Sequence, residues 1–292
     1  CKVVLIGNEE EIKTKFPEID FTGVSFDDPK TSEHRAEYAN TLYELRKAKG
    51  MTEEQALNIV TTNNMFYACV ALKRGDVDGV VGGAVFSSAD VSRAAFQVIK
   101  AAPGINSVSS CFVMVPPEDF KYKKYPAYIF SDCAVIPYPT SDQLSDIVVA
   151  AADSAKKICE MDPKIAMLSF STKGSANHES VEKVRVAYQK VKEEHPDIDV
   201  DGELQLDASL VDSVANQKAP GSPVAGKANV LVFPNLDAGN IGYKIAQRFG
   251  NCMAIGPIMQ GLALPVNDLS RGCVAEDIAA VAAITALQSV KG

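Results

Sequence analysis

The chain has 292 residues and a formal charge of −8, from 29 basic and 37 acidic side chains. With 47 % apolar and 23 % charged residues the composition is that of an ordinary globular protein, which excludes a disordered, collagenous or disulfide-stapled chain. No Lys/Arg cluster offers a nucleic-acid surface, and no apolar run approaches the ~18 residues of a membrane helix, so neither partner is expected.

In chain order, a strand pattern begins at once in Val3-Val4-Leu5-Ile6-Gly7 behind a first residue that is Cys rather than Met. A native segment is therefore expected to precede it. Thr52-Glu53-Glu54-Gln55 reads as a capping box that opens a helix. Strands are expected over 77–85, 111–115 and 127–135. Thr140-Ser141-Asp142-Gln143 opens a second capped helix, with Leu144, Ile147, Val148, Ala151 and Ala155 following at helical spacing. Strands 165–171, 200–206, 230–234 and 252–256 follow, with a helix marked by Val181, Val184, Tyr188 and Val191 among them. The Ala-rich run 278–287 reads as a buried helix.

This alternation predicts an α/β architecture with mostly parallel sheets. Ala102-Pro103-Gly104 and Gly256-Pro257 interrupt the pattern. They suggest a discontinuous first α/β domain, 1–104 plus 258–292, and a second α/β domain, 105–257, joined by two connections beside a cleft. Seven cysteines, an odd number, show no CxxC spacing, and the three histidines are isolated. Reduced thiols, a cytoplasmic home and no metal site are the expectation.

Four segments could carry chemistry. In Asp78–Arg93, a Gly-rich strand meets Ser87 and Ser88 at a helix start, where free N–H groups and Arg93 would bind an anion. Ser87 with Asp90 fits a capping box equally well. Pro220–Asn229 nearly matches a phosphate loop, but Ala228 replaces the metal-binding hydroxyl and a strand follows where a helix is required, so no ATP site is expected. In Pro234–Lys244, Asp237 or Asn240 could cap a helix, while Asn240, Tyr243 and Lys244 would face the strand ends. In Pro265–Asp277, Ser270 lies seven residues before Asp277. If the helix begins near Ser270, both share one face beside Arg271. The competing reading has Ser270 as a cap and Arg271 paired with Asp268.

The chain resembles the phosphate acetyltransferase (phosphotransacetylase) family in the stretches GDVDGVVGGA, SDCAVIPYPT, AMLSFSTKGSA, DGELQLDASLV, the long run 218–248, and PVNDLSRG followed by EDI. The family usually carries a further strand–helix segment ahead of the start seen here. Departures lie at Phe86, Leu264 and Val274, and bear on acyl preference. The resemblance implies two domains like those of isocitrate and isopropylmalate dehydrogenases, with the active site in the interdomain cleft. It implies the reversible reaction acetyl-CoA + phosphate ⇌ acetyl phosphate + CoA, by direct attack of the CoA thiolate in a ternary complex. No cofactor would be bound permanently, since CoA is a substrate. A homodimer and functional pairing with acetate kinase are implied as well. Asp277, Arg271 and Ser270 would be catalytic. Ser87, Ser88, Arg93, Asn240, Tyr243 and Lys244 would touch substrate, and Arg46 and Arg93 would hold CoA phosphates. Cys273 invites an acyl-enzyme, but no His neighbours it in sequence. A phosphate butyryltransferase and a non-catalytic acyl-CoA-sensing domain are the alternatives.

Overall fold

The computed structural model describes residues 1–291. The first stretch contains β1 (Val3–Ile6), α1 (Glu9–Lys15), β2 (Val24–Asp27), α2 (Arg35–Arg46), α3 (Glu53–Thr62), α4 (Asn64–Arg74), β3 (Val80–Gly82) and α5 (Ser88–Val98). The middle holds β4 (Ser109–Val115), β5 (Tyr128–Ser131), α6 (Ser141–Cys159), β6 (Ile165–Leu168), α7 (Glu179–Glu194), β7 (Val200–Leu204), α8 (Leu206–Leu210), α9 (Asp212–Lys218), β8 (Val230–Val232) and α10 (Leu236–Arg248). Last come β9 (Met253–Gln260), β10 (Val266–Asp268) and α11 (Ala275–Lys291). None of these helices is long and apolar enough to cross a membrane.

Both expected capping boxes form. Thr52 Oγ1 accepts the Gln55 N–H at 3.2 Å while Gln55 Oε1 accepts the Thr52 N–H at 3.0 Å. Thr140 and Gln143 repeat the pattern at the same distances, 3.2 and 3.0 Å, at the head of α6. Each box satisfies two amide donors that a helix start otherwise leaves unpaired.

The strands make three sheets: β1 beside β2, β3 beside β10, and a six-stranded sheet in the order β7-β6-β8-β5-β4-β9. Pairing is parallel except where β4 meets β5 and β9. The large sheet is buried on both faces, and the two-residue period of its strands sorts side chains between them. In β8, Val230 and Val232 join the cluster under α6 and α7, whereas Leu231 joins Ala215 and Tyr243 on the other face. A third cluster, around Tyr38, Leu42, Tyr67, Val91, Val98 and Val266, unites α2 to α5 with β10.

Two expected strands differ in extent. The expected strand 77–85 shrinks to Val80–Gly82, because the chain turns at Gly83, whose φ of +120° favours glycine. The strand expected to stop at Gly256-Pro257 instead runs through it to Gln260. One extra β9 residue there opposes the Cys111–Val113 stretch, a bulge that absorbs the irregularity without ending the pairing.

Beneath β10 the fold is fastened to its last helix. The buried Asn267 accepts the Met259 N–H at 2.8 Å and donates to Thr285 Oγ1 at 2.8 Å and Gln288 Oε1 at 2.7 Å. This fixes the strand that leads into the site.

Candidate active site

A cavity of ≈ 350 Å³ opens where three segments meet. The turn after β3 contributes Phe86 and Ser88. Helix α10 contributes Asn240, Tyr243 and Lys244, and the loop after β10 contributes Leu269, Ser270 and Arg271. Phe112 and Pro257 from the large sheet and Ala134 from the turn after β5 complete the wall.

At the first segment, Ser87 is the N-cap of α5. Its Oγ accepts the Asp90 N–H at 3.2 Å and donates to the Asp90 carboxylate at 2.7 Å. Ser88, the first residue of α5, therefore lines the cavity beside free helix-start N–H groups. Of the two serines only Ser88 reaches the cavity. Arg93 lies outside its lining, 56 % exposed and paired with Asp90 at 2.5 Å.

At the second segment, the cap of α10 is Asn235, which accepts the Ala238 N–H at 2.9 Å. Neither expected cap serves: Asp237 instead accepts the Tyr138 hydroxyl at 2.6 Å. Asn240 donates to the Cys133 carbonyl at 3.1 Å and accepts from Lys244 Nζ at 2.7 Å, so the ammonium is aimed into the cavity wall. Tyr243 stacks on Phe112 with ring centroids 4.0 Å apart, and its burial pushes the phenol up. Helix α10 can come this close only because residue 239 is glycine. A Cβ there would lie 2.3 Å from the Asp132 carbonyl oxygen.

The Asp132 side chain is a residue that sequence reasoning missed. It is 3 % exposed and takes the N–H groups of Ala134, Val135 and Ile136 at 3.0, 3.2 and 2.7 Å. It thereby shapes the turn that carries Ala134 and presents the Cys133 carbonyl to Asn240. The motif SDCAVIPYPT held the signal: an Asp directly after a strand, poised to accept from the N–H groups that follow.

The third segment corrects the helical geometry. Helix α11 starts at Ala275, not near Ser270. The Cys273 N–H closes a turn onto the Ser270 carbonyl at 3.0 Å, and the Gly272 N–H meets Ser270 Oγ at 3.3 Å. Ser270 and Asp277 thus do not share a helix face. Asp277 sits in the first turn of α11, where its Oδ2 accepts the Val274 N–H at 3.0 Å, outside the cavity lining. Cys273 precedes the helix and packs against the core cluster. Ser270 and Arg271 do line the cavity, and Arg271 makes no ion pair with Asp268 among the described residues. Asp268 instead lies buried beneath, with the Ser88 hydroxyl and the Leu269 N–H beside its carboxyl.

Arg46 closes α2 and lines a separate recess of ≈ 190 Å³ with Lys49, Gly50, Met51 and Gln55. Its Nε is buried without a hydrogen-bond partner.

The main cavity thus gathers Arg271, Lys244, the start of α5 and the hydroxyls of Ser88 and Ser270. Such a set binds an anion and stabilises charge developing on an adjacent carbonyl oxygen. Apolar surface from Phe86, Phe112, Pro257 and Leu269 faces it and suits a small acyl group.

The chain is 52 % identical over 289 residues to the phosphate acetyltransferase of Acetivibrio thermocellus, covering 99 % of this chain and 86 % of that protein. It is 51 % identical over 294 residues to the phosphate acetyltransferase of Clostridium acetobutylicum, covering 100 % and 88 %. The crystal structure of a phosphotransacetylase from Streptococcus pyogenes superposes with a TM-score of 0.89 at 44 % identity, covering 98 % of this chain and 85 % of that one. The family model described as "Phosphate acetyl/butaryl transferase" matches residues 1–286, and the chain belongs to that family.

Proposed function

We propose that this chain transfers an acetyl group reversibly between coenzyme A and inorganic phosphate, and that the CoA thiolate attacks acetyl phosphate directly in a ternary complex. The observation that carries the reading is the meeting of Arg271, Lys244, Ser270 and the α5 start around one cavity, in a chain half identical to enzymes named for this reaction. Arg271 and Lys244 hold the phosphoryl group. Ser270 and Arg271 stabilise the carbonyl oxygen as it gains charge. Ser88, Asn240 and Tyr243 position the donor. Asp277, one turn into α11 beyond the Ser270 loop, takes the thiol proton. Direct transfer needs no enzyme nucleophile, and Cys273, packed against the core, is left out of it.

Arg46 and Lys49 in the second recess hold a phosphate of CoA, which supplies the partner that buried Arg46 Nε lacks. Arg93, exposed beside Asp90, is within the same α5 turn and joins the anion sites once a substrate competes for it. CoA serves as a substrate rather than a resident cofactor.

Residues 1–104 with 258–292 form one unit and 105–257 the other. The Tyr67 cluster, drawn wholly from the first unit, supports this division, while Leu269 and Val281 of that unit also pack into the cluster under α6 and α7. Two copies associate through α10, where Ile241, Ile245 and Phe249, spaced four apart, stand 58, 53 and 91 % exposed. A cytoplasmic location and exchange of acetyl phosphate with an acetate kinase complete the reading.

The test is CoA-dependent breakdown of acetyl phosphate, with butyryl phosphate run beside it. Faster turnover of butyryl phosphate would replace the acetyl reading with a butyryl one, and turnover of neither would remove the catalytic reading.

A further inference from the structure

We propose that Asp268, acting through the Ser88 hydroxyl, supplies the proton that the departing phosphate takes up. The need is chemical. Acetyl phosphate is a dianion at neutral pH, so breaking its acyl C–O bond without a proton would release a phosphate trianion, a very poor leaving group. The thiol proton does not meet this need, since in the proposed function it goes to Asp277.

Asp268 has the environment of a proton donor. It ends β10, is 2 % exposed, and its Oδ1 makes no hydrogen bond. No Lys, Arg or His pairs with it among the described residues. Burial without a cation favours the neutral acid, and burial pushes this carboxyl above the ordinary range although Ser88 and the Leu269 N–H pull the other way. The space it occupies is made by Gly83, where a Cβ would sit 2.0 Å from Asp268 Oδ1. Ser88 lies beside this carboxyl and also lines the cavity. Asp277 differs on each count, since it lies at a partly open helix start with a backbone N–H on its carboxylate. Two carboxyls in contrasting environments are the usual basis for dividing acid from base.

Strands β3 and β9, packed against β10, carry no titratable side chain. Helix α5 offers Asp90 and Arg93, paired with each other, and α11 offers Glu276 and Asp277. None of these groups pairs with Asp268, whose carboxyl has the Ser88 hydroxyl and the Leu269 N–H beside it.

In the step, sulfur bonds to the acetyl carbon and the acyl C–O bond breaks. The Ser88 proton passes to the departing oxygen while the Asp268 proton replaces it on Ser88. The products are the thioester and hydrogen phosphate, with Asp268 ionised and Asp277 protonated. Exchange with water resets both, and the reverse reaction retraces the path. Ser88 touches substrate, and Asp268 is the positioning residue and proton source behind it.

The proposal rests on acetyl phosphate being the acyl donor, and two donors separate its failure from that of the wider reading. Acetyl methyl phosphate expels methyl phosphate as a stable dianion and needs no proton. With acetyl phosphate, Ser88→Ala and Asp268→Asn should each lower kcat by ~10²–10⁴, with KM for CoA changing by less than about threefold. The double variant should lose no more than either single one, and Ser88→Thr should recover most of the rate. With acetyl methyl phosphate, the loss in Ser88→Ala should be smaller than its loss on acetyl phosphate by at least about tenfold, leaving only the cost of donor positioning. Equal losses on both donors, multiplicative losses in the double variant, or a fully active Asp268→Asn would overturn the proposal alone. Should Asp268→Asn not fold, the Ser88 variants on the two donors decide. A wild-type enzyme idle on both donors with CoA would overturn the reading of the function and this proposal with it.

Discussion

Glu203 offers a direct test of what holds the large sheet to its neighbouring loops. The side chain is 2 % exposed on β7. It accepts from Arg185 Nε at 3.0 Å and Nη2 at 3.1 Å, from Ser171 Oγ at 2.7 Å, and from the Gly174 N–H at 2.9 Å. Burial pushes the carboxyl up, but Arg185, the Gly174 N–H and Ser171 outweigh it and hold it at about 2, against an ordinary 4.5. A carboxyl held that far down contributes about 3 kcal/mol at neutral pH. The sign follows from the lowered value: the contribution is complete above 4.5 and is lost as pH falls through about 2. Glu203→Gln keeps the shape and removes the charge. Urea unfolding followed by circular dichroism should find the variant less stable by about 3 kcal/mol at neutral pH, with the gap to wild type closing as the pH is lowered toward about 2. A gap that stays constant down to about pH 3, or no gap at neutral pH, would refute the reasoning.

Three further outcomes concern catalysis. Arg271→Gln should lower kcat by ~10²–10³, and Arg271→Lys should also be severely impaired because it loses the guanidinium fork, as initial rates would show. Asp277→Asn should lose ~10²–10⁴ in kcat with little change in either Michaelis constant, whereas Glu276→Gln should stay active; the opposite pattern would move the base to Glu276. Arg46→Ala should raise KM for CoA far more than KM for acetyl phosphate, and an equal rise in both would detach the second recess from CoA.

Much of this arrangement is legible in the sequence where one local interaction decides. The capping boxes at Thr52 and Thr140 form because each needs only four consecutive residues. Ser88, Asn240, Tyr243, Lys244, Ser270 and Arg271, singled out from three separate segments, all meet at one cavity. What fails is whatever a competing contact decides. Helical spacing joins Ser270 to Asp277, but Gly272 and the turn onto the Ser270 carbonyl delay α11 to Ala275. Asp237 is a good cap by type, yet Asn235 is two residues better placed and Tyr138 claims Asp237 from across the fold. Arg93 stays out of the cavity lining because Asp90, one turn back on the same helix, holds its guanidinium. The burial of Asp268 has no sequence signature, because it depends on strands brought together from residues far apart in the chain.

Asn267 makes the distal half of α11 a determinant of the cleft. The Ser270–Arg271 loop hangs from a strand whose buried amide is tied to Thr285 and Gln288, roughly three turns along that helix. Residue 79 presses on the same spot, since a Cβ there would come within 2.5 Å of Thr285 Cγ2. Shortening or enlarging the side chain at 285 or 288 would therefore act like changing the length of a suspension line. The guanidinium would keep its chemistry and lose its aim, and a lineage could drift in rate or donor preference with every residue around the substrate unchanged.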